Sequence, residues 1–344
     1  MSKLIVAMSG GVDSSVALRL LLDEGHELLG VTFVTDSSEE SKKAASDAAE
    51  VAAKMNVPHE VMDISEEFRS AVKEYFVRTY EEGGTPNPCV VCNREIKLGV
   101  LLRYAEEKGF DGVATGHYAA VDKTGERVRL LKAADVTKDQ TYVLAHVTEP
   151  QLKKAHFPLG AYTKESIRAM AEEMGLSVAD KKDSQDICFI PDGDYVRFLT
   201  DYRGSAPKPG KYVSPDGTVL GEHRGQECYT IGQRKGLGIA LGRHMFVLEK
   251  NAETGTVTLG DSEALMKKSI TVTDLNLIGR SELHDGERFE VKIRYAHRAS
   301  PAAVFHREQG KLEIVFDEVQ RAPSRGQLAV LYSADEAVAS GIIL

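Results

Sequence analysis

The stretch Leu4-Ile5-Val6-Ala7-Met8-Ser9-Gly10-Gly11-Val12-Asp13-Ser14-Ser15 decides the fold. A short apolar run, residues 4–8, ends in two glycines, and helical character follows over 12–22. A strand buried on both faces reads as such a run. Two glycines let the backbone turn tightly, and a helix that starts there points its positive N-terminal end at one spot. A pyrophosphate would sit well against that end. Ser9, Ser14 and Ser15 could add hydroxyl donors, and Asp13 could hold Mg²⁺ beside the phosphates. The loop is not the G-x-x-x-x-G-K-[ST] type, because no lysine follows. The plainer alternative is a strand–turn–helix with a capping serine. A second glycine-rich segment, Gly236 to Gly242, resembles a dinucleotide fingerprint, but its last gap is one residue too long.

Outward from this loop, strand-like and helix-like segments alternate. A second strand is expected at Glu27–Val34, a helix at Glu39–Lys54 and a third strand at His59–Asp63. A helix over 66–82, a Gly/Pro loop over 83–88, a helix over 93–108 with Asn93 as its cap, and a strand over 112–115 complete the series. This order predicts a parallel sheet with helices on both faces and a ligand at the carboxyl ends of its strands. After about residue 199 helical periodicity fades. Residues 203–210 form the first linker candidate. Short strands follow at 211–213, 219–221, 228–231, 245–249 and 256–259, and again at 270–275, 288–294, 302–306, 312–316 and 328–332. They suggest small β units or a barrel, with a soft boundary near 266–269.

Composition sets the outer limits. The chain has 344 residues, 42% hydrophobic and 28% charged, which suits two or three globular domains and excludes wholesale disorder. No apolar run reaches the ~18 residues that cross a bilayer. The N-terminal apolar stretch runs into Ser9-Gly10-Gly11 without a signal-peptide cleavage site, so no membrane association and a cytoplasmic location are expected. A net charge of −9 argues against a general nucleic-acid coat. The charge is uneven. Residues 36–82 hold twelve acids against six bases, whereas residues 203–250 hold eight bases against four acids. The basic loop Gln233-Arg234-Lys235-Gly236 could grip an RNA backbone or be an ordinary solvated turn.

Four cysteines, Cys89, Cys92, Cys188 and Cys228, are too few for a disulfide-built fold. Cys89-Val90-Val91-Cys92 follows Pro86-Asn87-Pro88 and precedes a helix. A thiol at a helix N-terminus near Arg94 and Lys97 is expected to favour the thiolate. Cys188 lies in a turn-like segment, so three cysteines from two loops could meet above the sheet. A redox pair, a zinc site lacking an obvious fourth ligand, and an iron–sulfur cluster on three thiolates are the readings. Cys228 reads as an incidental buried cysteine.

These residues carry a resemblance. The sequence resembles the bacterial tRNA-specific 2-thiouridylases of the PP-loop ATP pyrophosphatase superfamily. The match runs through Met8–Ser15, T-P-N-P-C-V-V-C-N-R-E-I-K at 85–97, A-T-G-H-Y at 114–118, K-D-Q-T-Y at 138–142 and K-D-S-Q-D-I-C-F-I at 182–190. It continues with Y-T-I-G-Q-R-K-G-L-G-I-A at 229–240 and Lys292 to Tyr295. The resemblance implies an α/β fold: a Rossmann-like nucleotide-binding domain (1–202), a small central β-rich tRNA-binding domain (203–268) and a C-terminal β-barrel (269–344). It implies ATP at Ala7, Met8, Ser9, Gly10, Gly11, Val12, Asp13 and Ser14, with Phe33 and Gly116 lining the nucleoside. Asn87, Pro88 and Cys89 would approach the target base. Lys138, Asp139, Gln140, Arg294, Tyr295 and Gln327 would touch tRNA, with His117 at the edge of that surface. Cys92 and Cys188 match the two catalytic cysteines, with Asp13 assisting at the phosphates.

The implied activity is that of a tRNA-uridine 2-sulfurtransferase acting on the wobble uridine. ATP would adenylate the uracil 2-oxygen and release pyrophosphate; sulfur would then attack, and AMP would leave. An upstream sulfur donor, a cysteine desulfurase or relay protein, is implied as a partner. In a persulfide version Cys188 carries the terminal sulfur and closes a disulfide with Cys92. In a cluster version Cys89, Cys92 and Cys188 hold a [4Fe-4S] cluster. Many members have Asp-x-x-Cys where this chain has Cys89-x-x-Cys92, and a softer ligand there favours the cluster. The other reading is a different PP-loop pyrophosphatase, such as an amide-forming ligase, which would not need Cys92 and Cys188.

Overall fold

The structure, a computed structural model, describes residues 1–175, 187–240 and 242–344. The first domain is built on five parallel strands: β1 Lys3–Ala7, β2 Glu27–Val34, β3 His59–Asp63, β4 Gly112–Ala114 and a two-residue β7, Ala155–His156. They lie in the order β3-β2-β1-β4-β7. Leu4, Ile5 and Val6 are fully buried. Because side chains alternate along a strand, Leu4 and Val6 face α1 (Val12–Asp23) and α2 (Glu39–Lys54), while Ile5 faces a second helical layer. Strand order reverses between β1 and β4, so their carboxyl ends open a crevice.

The second helical layer runs from Pro88 to Glu107 and includes a π-helical segment, Cys92–Val100. The helix therefore starts at the proline, whose missing N–H costs nothing there. Asn93 is not its cap: it is buried inside the helix and donates through Nδ2 to Val143 O at 3.0 Å. Helix 65–81 likewise carries a π segment, Arg69–Lys73.

The middle domain is a four-stranded sheet, β10-β11-β8-β9, with β8 Gly210–Val213, β9 Val219–His223, β10 Phe246–Asn251 and β11 Thr256–Gly260. The strand expected at 228–231 is absent. A 3-10 turn, Gln226–Cys228, takes its place and buries Cys228 and Tyr229 against Tyr212, Val247 and Leu259. Helix Tyr195–Arg203 joins this domain to the first by packing Leu199 on Phe76 and Tyr80.

Six strands make the last domain: β12 Met266–Leu277, β13 Arg288–Lys292, β14 Ser300–Arg307, β15 Lys311–Arg321, β16 Leu328–Ser333 and β17 Glu336–Ile343. Pairing of β12 with both β15 and β17 closes them into a barrel. A hairpin of the first domain, β5 Ala119–Asp122 and β6 Arg129–Lys132, extends the barrel sheet, with Leu130 beside Ala337. One core runs through both domains, from Ile5, Leu101 and Tyr142 to Val330 and Tyr332. No helix among the described residues is long and apolar enough to cross a membrane.

Candidate active site at the sheet switch point

The crevice between β1 and β4 is a cavity of about 650 Å³. At one end β1 delivers Ala7, the turn after it Met8 and Ser9, and the first turn of α1 Asp13 and Ser14. Gly10 has φ +66°, and a side chain there would meet Ala44 O at 2.5 Å, so only glycine makes this turn. Gly11 precedes the helix with no side-chain cap, which leaves first-turn N–H groups for an anion. Of the three serines, Ser9 and Ser14 line the cavity and lie 3.3 Å apart through their hydroxyls. Ser15 does not serve as a donor to the cavity. It is fully buried and donates to Gly11 O at 2.9 Å. Val12 also turns into the core.

Asp13 is held on two sides. Lys164 Nζ lies 2.8 Å from each carboxylate oxygen, and the Tyr118 hydroxyl donates to Oδ1 at 2.8 Å. Lys164 is buried, the first residue of helix Lys164–Glu173 after its Thr163 cap. It escapes a reading of motifs because it stands 151 residues from Asp13. A signal was present nonetheless: a lysine in the first turn of a helix opposes the dipole, so such a residue asks for an anion.

Phe33 and Gly116 also line the cavity. A Cβ on Gly116 would lie 2.9 Å from Asp13 C and Ser14 N, so glycine lets the end of β4 rest on α1. His117 also lines the cavity. It is buried, shares a 2.6 Å hydrogen bond with Thr115 Oγ1, and burial keeps its imidazole neutral well below the usual range.

Cys92 and Cys188 line the same cavity. Both are free thiols, Cys188 exposed and Cys92 half-buried. The expected stabilised thiolate is not what the geometry gives. Desolvation pushes the Cys92 thiol up to about 11 against the pull of Lys97, and it also raises Cys188. Arg94 does not help, because its guanidinium turns to Glu95 and Asp274. Cys89, the third thiol, is near enough to act electrostatically on both. Among the described residues no three Cys, His, Asp or Glu side chains stand in a metal-holding group. The motif residues 182–186 lie outside the described residues.

The remaining expected contacts divide. Lys138, Gln140 and Tyr295 line the cavity beside His117. Tyr295 is 47% exposed, with Lys292 Nζ 5.3 Å above its ring. Asp139 instead accepts from Thr141 Oγ1 at 2.7 Å and Ala133 N at 3.2 Å. Asn87, Pro88 and Cys89 precede Cys92 in the helix start but do not form the cavity wall. Arg294 donates to Ala322 O and, at 2.9 Å, to Ser324 Oγ. Gln327 donates to the backbone of Thr85 and Pro86.

Comparison with known proteins agrees with this layout. Residues 2–192 match the family described as tRNA methyl transferase HUP domain. Residues 196–261 match its PRC-barrel domain, and residues 267–343 match the aminomethyltransferase beta-barrel domain. The tRNA-specific 2-thiouridylase MnmA of Acetivibrio thermocellus is 44% identical over 99% of each chain. The chain belongs to the tRNA-specific 2-thiouridylase family. Thiouridylases of the same name from Treponema denticola and Clostridioides difficile are 41% and 42% identical, covering 99% of this chain and 97% and 98% of theirs. The U34-tRNA thiolase NcsA from Methanococcus maripaludis superposes with TM-score 0.37 and 17% identity over 58% of this chain and 66% of that one, a likeness too remote to bear on function. Membership in the thiouridylase family accounts for the Rossmann-like domain, middle domain and barrel in one chain.

Proposed function

We propose that this chain is an ATP-dependent tRNA-uridine 2-sulfurtransferase that thiolates the wobble uridine. One observation carries the reading: the phosphate-type loop and two thiols open into a single cavity. A pyrophosphatase that forms amides has no use for that juxtaposition.

In this reading the ATP phosphates lie on the N-terminal turn of α1, with Ser9 and Ser14 as hydroxyl donors. The nucleoside lies toward Phe33 and Gly116. Uracil is a poor electrophile at C2. Attack of its 2-oxygen on the α-phosphorus expels pyrophosphate, and Lys164 offsets the charge that gathers on the leaving oxygens. Mg²⁺ bound to the phosphates would take Asp13 as a ligand, drawing that carboxylate from Lys164. A persulfide on Cys188 then attacks C2 through its terminal sulfur, and AMP leaves. The Cys92 thiol gives up its proton to water and attacks Cys188 Sγ. That step frees the thiocarbonyl and leaves a Cys92–Cys188 disulfide, which an external thiol reduces. The sulfur comes from a cytoplasmic donor protein. Tyr295, Lys138 and the basic loop 233–236 offer stacking and phosphate contacts to tRNA.

Cys89 supports a second reading. Three thiols suit an iron–sulfur cluster in kind, but their present arrangement does not assemble a ligand set, so the steps above use them as thiols. Iron and acid-labile sulfide measured after anaerobic reconstitution separate the two. Full thiolation by iron-free protein supports the persulfide route.

The function itself is tested by AMP release that requires both a tRNA with uridine at the wobble position and a sulfur donor. Cys188→Ser is expected to abolish thiolation with ATP binding intact. Thiolation retained in that variant defeats the role given to Cys188.

A further inference from the structure

The loop before the first thiol is gripped from both other domains. From the barrel, Gln327 Nε2 donates to Thr85 O at 3.0 Å and Pro86 O at 3.1 Å, and Arg325 O accepts from Thr85 N at 2.8 Å. From the middle domain, Lys250 Nζ donates to Gly84 O at 3.1 Å. Asn87 N donates to the Tyr75 hydroxyl at 3.3 Å. The backbone from 84 to 87 is thus tied at every residue. The approach is close: a Cβ on Gly326 would lie 3.0 Å from Thr85 O, and one on Gly84 would lie 3.2 Å from Arg325 O.

The gripping turn is itself braced. Arg294 holds Ala322 O and Ser324 Oγ, Gln327 N donates to Ser324 O at 3.1 Å, and Ile343 N donates to Gln327 O at 2.9 Å. A primary amide has two N–H donors, and the Gln327 amide nitrogen serves two carbonyls here.

We infer that Gln327 is a positioning residue. With Lys250 opposite, it fixes the 84–87 backbone so that Asn87, Pro88 and Cys89 enter the helix in the register that leaves Cys92 in the cavity. The catalytic consequence rests on the thiolation reading; the clamp itself does not. Register matters because a misplacement of about 1 Å can cost about 100-fold in rate.

The test compares Gln327→Ala, Gln327→Glu and Lys250→Met in the full chain. Glutamate keeps the length of the side chain but faces the two carbonyls with acceptors only. Lys250→Met releases Gly84 O from the other domain. For all three, kcat for tRNA-dependent AMP formation is expected to fall about 10- to 100-fold. For both Gln327 variants the tRNA Kd stays within about threefold, less than ~0.7 kcal/mol. Alkylation of Cys89 in the tRNA-free protein speeds up in each variant. Weakened tRNA binding with kcat at saturating tRNA and Cys89 alkylation unchanged overturns the inference and leaves Gln327 as an RNA contact. If Gln327→Ala does not fold, the other two variants carry the same comparison. If the wild-type chain forms no AMP with tRNA, the thiolation reading fails, and the alkylation arm still decides the clamp.

Discussion

Lys164 and Asp13 form an ion pair in the wall of the cavity. The lysine is buried, pairs with a carboxylate in the first turn of α1, and has the Tyr118 ring 5.7 Å from its Nζ. Removing it leaves Asp13 facing the incoming phosphates. Lys164→Ala is expected to lower AMP formation by about 100-fold or more, the scale of a lost transition-state charge contact. Lys164→Arg should recover part of it, and steady-state AMP release checks both. Gly10→Ala tests the turn itself. Its positive φ and the 2.5 Å approach to Ala44 O predict a loss of about 1–3 kcal/mol in a urea titration, together with weaker ATP binding. At this scale the strand, glycine turn and helix around Gly10 were legible from sequence, because they are consecutive. Lys164 was not, because only the folded sheet brings its helix to Asp13.

The helix 88–107 shows how an element can be right in kind and wrong in detail. Its existence followed from periodicity. Its start did not, because Pro88 reads as a loop residue until the chain shows it at the first helical position. The π segment has no sequence signature, yet side chains far along the chain sustain it. Gly99 brings its Cα against Arg94 O, where a Cβ would lie at 2.8 Å. Gln151 Nε2 donates to Arg94 O at 2.7 Å and Leu98 O at 2.8 Å, and Thr148 orients that amide. The wider turn alters which residues share a face with Cys92. Gln151→Leu strips partners from two carbonyls, for an expected loss of about 1–3 kcal/mol by urea titration. Its effect on thiolation should exceed its effect on ATP binding, since Cys92, not the phosphate loop, rides on this helix.

On the scale of the molecule, the first domain and the barrel share a core. Leu130 and Tyr142 pack with Val330 and Tyr332. Truncation after residue 266 is therefore expected to leave an unfolded or aggregating product rather than a free nucleotide-binding domain. Circular dichroism and size-exclusion chromatography check this. The hairpin β5–β6 that makes the join was missed in the sequence. Its four-residue strands carry little alternation, and their partner lies some 200 residues away. Acid should also loosen the whole fold. Desolvation holds His156 down to about 4 and keeps His117 lower than usual. Between about pH 6.5 and 4 the unfolded chain binds protons that the folded chain refuses, so stability falls with pH across that window. Thermal melts from pH 7 to 4.5 should show this fall, and His156→Gln should reduce it.

The hairpin grafted onto the barrel has a consequence for synthesis. A ribosome moving at about 5–20 residues per second needs on the order of 10–40 s to travel from β6 to the strand that receives it. Until β17 emerges, Leu130 and its neighbours have no complete surface to rest on, although the phosphate loop was made long before. A nascent chain thus carries the strand and turn at the cavity early and their support late. Premature termination would yield material for chaperones and proteases, not a half-enzyme that consumes ATP without delivering sulfur.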